Sequence, residues 1–203
     1  IVITDHTKAL AFTGGLDERK LAKQREEIEK VNKQLNGITV LQGAEVNIMK
    51  DGSLDIVDAA LKKLDVVGAA VHTNFKMQKD EMTKRIIKAM ENPNVDILFH
   101  PTGRIIQQRE PYEVDIEKVV EAAKRTGTIL EIDAFPDRLD LKDEHVRLGK
   151  EHGCKFSIDS DAHSSVQIHY LEFGIGVARR GWLEEKDVVN TLSVEKMLKQ
   201  LKH

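Results

Sequence analysis

Val66-Val67-Gly68-Ala69-Ala70-Val71-His72, followed by the amphipathic run from Asp80 to Glu91 and then by Val95-Asp96-Ile97-Leu98-Phe99-His100, is the stretch that decides the fold. Two short apolar, β-branched runs flank a segment whose apolar residues recur at three and four spacing, so the stretch reads strand, helix, strand. Both strands end in histidine.

Working outward, the same alternation fills most of the chain without a long linker. Strands are expected at Ile1 to Thr4, Ile38 to Glu45, Val66 to His72, Val95 to His100, Thr128 to Asp133 and Lys155 to Asp159. Helices are expected at Asp17 to Leu35, Leu54 to Lys63, Asp80 to Glu91, Asp115 to Arg125 and Lys142 to His152. Asp17 and Asp143 supply start signals, and Gly127 and Gly153 stand just past helix ends, where a left-handed residue is needed. After Asp161 the pattern is helical, with segments at Ser164 to Gly181, Glu184 to Leu192 and Ser193 to Leu201. Strands alternating with helices define an α/β fold with parallel strands.

Bulk composition narrows the class. The 203 residues fit one domain, 1–203, and 40% hydrophobic with 32% charged residues describes a soluble globular chain with an aliphatic core. No run approaches the roughly 18 apolar residues of a membrane span. The opening residues lack the charged and apolar regions of a signal peptide, so a cytoplasmic location without a membrane partner is expected. Cys154 is the single cysteine, which excludes an internal disulfide and zinc-finger spacing; any metal must use histidine and carboxylate. A net charge of −3 gives no overall basic footprint for nucleic acid, leaving only local basic patches. The chain starts at Ile1, inside an apparent strand, and the expectation is that something upstream has been removed.

Polar residues fall at the strand ends. In parallel barrels those ends and the loops after them form the active face. Here they carry Asp5 and His6, Glu45, His72, His100, Asp133, and Asp159 with Asp161 and His163. Taken alone, a histidine at a strand end is more often hydrogen-bonded structure than a ligand; recurrence across strands is what points to a shared rim. Imidazole and carboxylate suit zinc, manganese and iron, and closely spaced cations can hold phosphate oxygens and acidify water. The chemistry indicated is metal-assisted phosphoester hydrolysis. His145, His152, His169 and His203 read as surface or structural. Glu131 reads equally as a buried structural carboxylate or a member of the site, and Asp159 is a candidate turn cap.

Over nearly its whole length the chain resembles the PHP (polymerase and histidinol phosphatase) family. The motifs are Ile3-Thr4-Asp5-His6, Gly43-Ala44-Glu45, Val71-His72, His100-Pro101 and Asp161-Ala162-His163-Ser164, in that order. Within the family, His100-Pro101-Thr102-Gly103-Arg104, Pro136-Asp137-Arg138-Leu139-Asp140-Leu141 and Gly176-Val177-Ala178-Arg179-Arg180-Gly181-Trp182 are similar to the domain attached to bacterial and archaeal family X DNA polymerases.

The resemblance implies a distorted seven-stranded (β/α) barrel with a trinuclear metal centre. By that likeness Glu45 bridges two metals, one held further by His72 and His100 and the other by Asp161, while His6 and His163 hold the third. Asp161 and His163 would also position the attacking water. The family opens with a His-x-His pair on its first strand and a further ligand in the following loop, and none of these is in this sequence. The first strand and helix are thus expected to be missing, the centre incomplete, and the Glu45, His72 and His100 site the best preserved. Where polymerase-linked relatives read Glu-Ile-Asn-Ala-Asn-Pro, this chain reads Glu131-Ile132-Asp133-Ala134-Phe135-Pro136.

The leading expectation is a hydrolase acting on phosphoesters at DNA 3′ ends, as a 3′-5′ exonuclease or 3′ phosphatase, using manganese or zinc, with iron a further candidate. An upstream polymerase module is the expected partner. Arg104, Arg109 and Arg138 follow strand ends and are candidate phosphate contacts, against the plainer reading of surface ion pairs. Competing readings are a small-molecule phosphatase of the histidinol-phosphate type and a non-catalytic module supporting a polymerase. An open barrel edge further predicts either a covered edge or self-association into a homo-oligomer.

Overall fold

The computed structural model describes residues 1–10 and 13–202. His203, expected on the tail, lies outside the described residues. Among those described, six strands form one parallel sheet in chain order: β1 (Val2–His6), β2 (Leu41–Asn47), β3 (Val66–Ala70), β4 (Ile97–Leu98), β5 (Ile129–Asp133) and β6 (Phe156–Asp159). All six expected strands occur. β1 and β6 are the two ends of an open, curled sheet that forms part of a barrel.

The continuous apolar run of β3 is explained by burial on both faces, and every residue from Val66 to Ala70 is buried. Val67 and Ala69 join the large core beneath the helices, whereas Val66 and Ala70 join a second cluster with Ile97, Phe99, Ile129 and Val189. Gly68 lets this second layer close. A methyl group there would lie 1.9 Å from Cε2 of Phe99, so the ring occupies the space a side chain would need.

β4 is shorter than Val95 to His100. Hydrogen bonding to β3 runs on through Asp96 and Phe99, but His100 turns out of the strand with φ 28°. The Asp96 carboxylate meanwhile accepts the Val67 N–H. Side-chain partners from elsewhere in the fold thus do part of what a longer ladder would do.

The main helices are α1 (Glu18–Asn32), α2 (Asp58–Leu61), α3 (Lys79–Met90), α4 (Ile116–Thr126), α5 (Asp143–Glu151), α6 (Leu171–Arg180) and α7 (Val194–Leu198). Asp17 caps α1 by accepting the Lys20 N–H, Asp115 caps α4 through Lys118, and Gly127 ends α4 in the left-handed conformation. α2 is much shorter than Leu54 to Lys63. Leu54 pairs with Ile48, and the Asp55 carboxylate draws in Thr7, Ala9 and Asn47, which keeps these residues out of the helix. The segment from Ser164 begins as a 3-10 helix before α6, and Glu184 to Leu192 resolves into two single 3-10 turns.

The β6 edge is covered. Asn190 mimics a neighbouring strand, accepting the Ile158 N–H at 2.8 Å and donating to the Ile158 carbonyl at 3.0 Å, while Val188 bridges Phe156. At the other end, β1 alternates between half-buried and exposed residues, with Ile1 and Ile3 facing out. No helix among the described residues is long and apolar enough to cross a membrane.

Candidate metal centre

Parallel register carries the expected residues to one rim. His6 pairs with Glu45 across β1 and β2, Glu45 pairs with Gly68 of β3, and His72 and His100 follow the C-terminal ends of β3 and β4. The centre of the site is the Glu45 carboxylate, 7% exposed. Its Oε1 lies 2.9 Å from His72 Nε2 and 2.8 Å from His100 Nε2, and its Oε2 lies 3.2 Å from His6 Nδ1. Ligand atoms of His6, Glu45 and His72 all lie within 4.8 Å of one another. The imidazoles of His6 and His72 meet edge to face, as do those of His72 and His100.

Burial would push the Glu45 carboxyl up, but the hydrogen bonds from His100 and His72 outweigh it and hold the group well below the usual carboxylate range. His72 is lowered by its own burial, whereas in His100 the bond to Glu45 overcomes burial and raises the imidazole.

A second group of carboxylates lies beside this one. Glu131 and Asp133 on β5, Asp159 ending β6 and Asp161 after it are all raised, chiefly by burial. Charge from Asp133 and Asp159 adds to the effect at Glu131, and the nearby Asp161 helps push Asp133 up to about 8. Glu131 is structural and local at once: its Oε2 accepts the backbone N–H of His100 and so supports the left-handed turn that aims the ring. Asp161, at φ 46°, is likewise left-handed. Non-glycine residues in this region are uncommon and gather at functional sites.

Asp161 Oδ2 lies 3.7 Å from Arg138 Nε, which also faces Asp133 Oδ2 at 3.3 Å. Arg138 Nη1 is buried without a hydrogen-bond partner. His163 is largely exposed, its Nδ1 2.8 Å from the Asp161 carbonyl; a carbonyl only accepts, so Nδ1 carries a proton and the neutral form of the ring offers its lone pair at Nε2. Phe135 stands edge-on to His163 at 6.3 Å and to Tyr170 at 5.2 Å between ring centroids.

The other two arginines bind backbone. Arg104 donates through Nε and Nη2 to the carbonyls of Arg138 and Leu139, and Arg109 donates to the Gly103 carbonyl and lies 4.2 Å over the Phe75 ring. Both, with Lys142, line a cleft beside the loop 104–111. His145 is half-buried beside Glu144, His152 bonds the Leu148 carbonyl, and His169 is exposed.

Asn47, Asp55 and Thr7 were not singled out in the sequence. Asn47 Oδ1 lies 2.8 Å from His72 Nδ1, and the other two hold the amide in place. The available signal was period two: Asn47 follows Glu45 on the same face of β2.

The donor set suits a cation. Three imidazoles converge on one buried carboxylate, and the adjoining carboxylates are balanced by only the Arg138 guanidinium among the contacts above; positive charge brought to this rim would relieve the burial of negative groups.

A parallel, curled α/β sheet whose strand ends gather histidines around a glutamate defines a protein of the barrel class with a candidate metal site. No protein-family model matches the chain. It is 38% identical over 195 residues to the DNA polymerase/3′-5′ exonuclease PolX of Bacillus subtilis, covering 96% of this chain and 34% of that protein. It is 34% identical over 181 residues to a probable phosphatase of Caldanaerobacter subterraneus subsp. tengcongensis, covering 84% of this chain and 68% of that protein. Among solved structures, the histidinol phosphate phosphatase of Lactococcus lactis, complexed with zinc, L-histidinol and phosphate, matches with a TM-score of 0.54 at 15% identity, over 79% of this chain and 74% of the other. The chain belongs to the PHP family. It spans about a third of the length of the PolX relative and about two thirds of the phosphatase.

Proposed function

We propose that the chain is a metal-dependent phosphoester hydrolase acting on DNA 3′ ends, one domain of a longer polymerase-type protein. The observation that carries the hydrolase reading is the convergence of His6, His72 and His100 on Glu45 beside a row of buried carboxylates. Relatives named as a 3′-5′ exonuclease and as a phosphatase support the same reaction class.

His6, Glu45, His72, His100, Asp161 and His163 would hold divalent cations, manganese or zinc with iron as a third candidate. Bound there, cations offset charge on phosphate oxygens and acidify water. Glu45 supplies the shared anion. Asp161 and His163 position the attacking water, His163 through the Nε2 that its bond to the Asp161 carbonyl leaves free. Arg138 offers its unpartnered Nη1 to a non-bridging phosphate oxygen. Arg104, Arg109 and Lys142 line one cleft with a single acidic residue, Glu110, a net basic path for phosphates further along a strand. That path favours a polynucleotide over the small-molecule phosphatase reading.

The test is substrate competition. Manganese-loaded protein is incubated with a 3′-recessed duplex and, separately, with histidinol phosphate. Loss of 3′ nucleotides or 3′ phosphate with the monoester intact supports the proposal; the reverse pattern replaces it with the small-molecule phosphatase.

A further inference from the structure

Asp55 is the acceptor at the centre of a polar network behind the site. Its Oδ1 takes the Thr7 hydroxyl at 2.7 Å and the Asn47 backbone N–H at 3.0 Å, and its Oδ2 takes the Asn47 side-chain amide at 2.7 Å and the Ala9 N–H at 2.9 Å. The second amide proton of Asn47 points at Thr7 Oγ1, 3.0 Å away. Thr7 and Asn47 are buried, 0% and 4% exposed.

These bonds decide which way the Asn47 amide faces. A carboxylate has no proton to give, so the atom toward Asp55 must be the amide nitrogen. Rotated by half a turn, the amide would set its carbonyl oxygen against a carboxylate and leave buried acceptors unmade, at a cost of roughly 1–3 kcal/mol for each group. With the nitrogen fixed, Oδ1 faces His72 Nδ1 at 2.8 Å, and that contact requires a proton on Nδ1. Nε2, on the opposite side of the ring, points at Glu45 Oε1 at 2.9 Å; a carboxylate oxygen also only accepts, so in the metal-free ring this contact takes a proton as well, the one a bound cation would replace.

We infer that Asn47, oriented by Asp55 and Thr7, is the positioning residue that keeps a proton on His72 Nδ1 and so reserves Nε2 for the metal centre. The inference rests on the metal-centre reading given above. The same carboxylate also ties the β1 loop to β2 through Ala9 and Thr7, so the network places His72 relative to both His6 and Glu45. Partners behind a ligating imidazole typically contribute about 10–100-fold to metal affinity.

The test is nitrogen-15 NMR of the His72 ring in the free and zinc-loaded protein, with zinc affinity measured for wild type, Asn47→Leu and Asn47→Asp. The expected result is an Nδ1 that keeps its proton in the zinc-loaded wild type while Nε2 gives up its own. Asn47→Leu weakens zinc binding about 10–100-fold and frees the ring between forms. Asn47→Asp keeps an oxygen toward Nδ1 and so retains its proton, and because its other oxygen faces the Asp55 carboxylate it is made together with Asp55→Asn. An unprotonated Nδ1 in the zinc-loaded wild type, or unchanged ring form and affinity in Asn47→Leu, overturns the inference. Should Asn47→Leu not fold, the wild-type spectrum decides alone. Zinc that perturbs no histidine sinks the metal-centre reading and the inference with it, whereas zinc that shifts Nε2 while Nδ1 carries no proton sinks the inference alone.

Discussion

His100 Nε2 and His72 Nε2 share one oxygen of Glu45, so this carboxylate is the common partner of two imidazoles from neighbouring strand ends. Glu45→Gln removes the charge and keeps the shape. We expect metal binding to fall by at least the 10-fold to 100-fold typical of a disturbed metal shell, with hydrolysis falling alongside it. In manganese-soaked crystals of the wild type, the strongest anomalous peak should sit among Glu45, His72 and His100; a peak confined to His6 and His163 would contradict this.

Asp133 makes the metal-free protein sensitive to a rise in pH through the acid and neutral range. Its folded value is pushed up to about 8 from an ordinary 3.8, chiefly by burial and then by the charge of Asp161. The raised value means that the folded chain keeps a proton the unfolded chain has lost. The stabilising contribution is full below about pH 4 and is lost as pH rises to about 8. Urea midpoints should therefore fall across that window, and less steeply in Asp133→Asn. Equal slopes in the two proteins would refute the assignment.

Gly68→Ala should cost roughly 1–3 kcal/mol, the usual penalty for overpacking a filled core. The added methyl group has nowhere to go but into Phe99, which is itself 6% exposed. A paired Phe99→Leu change should recover part of the loss in thermal denaturation. Recovery of none would mean that the strand backbone, not the ring, is the obstacle.

Arg138→Ala separates substrate contact from structure. If Nη1 meets phosphate, KM rises about 10-fold or more while metal affinity holds or improves, because Asp133 and Asp161 lose a competing cation. An unchanged KM would leave Arg138 as a partner of the two aspartates alone.

The strands were readable because parallel strands buried on both faces, such as Val66 to Ala70, leave a run with no polar interruption. The positions of His6, Glu45, His72 and His100 at the strand ends were readable for the same reason. What could not be read depends on partners distant in sequence. α2 loses its first turn to contacts of Asp55 with Thr7 and Ala9, and β4 ends early where Glu131 takes the His100 N–H. Arg104 gives no local sign that it will hold the carbonyls of Arg138 and Leu139. Asn47 looked like any polar residue in a strand, since nothing nearby says that its amide will be clamped from behind.

The Asn190 amide at Ile158 gives the sheet a head and a tail. One side chain satisfies the outermost backbone of β6, so lateral growth is blocked at that margin and left to the flank of Val2–His6. A further strand laid parallel on the sheet would pair with Val2–His6 and bring its last residues beside His6. Accretion and the His6 side of the site thereby share one seam.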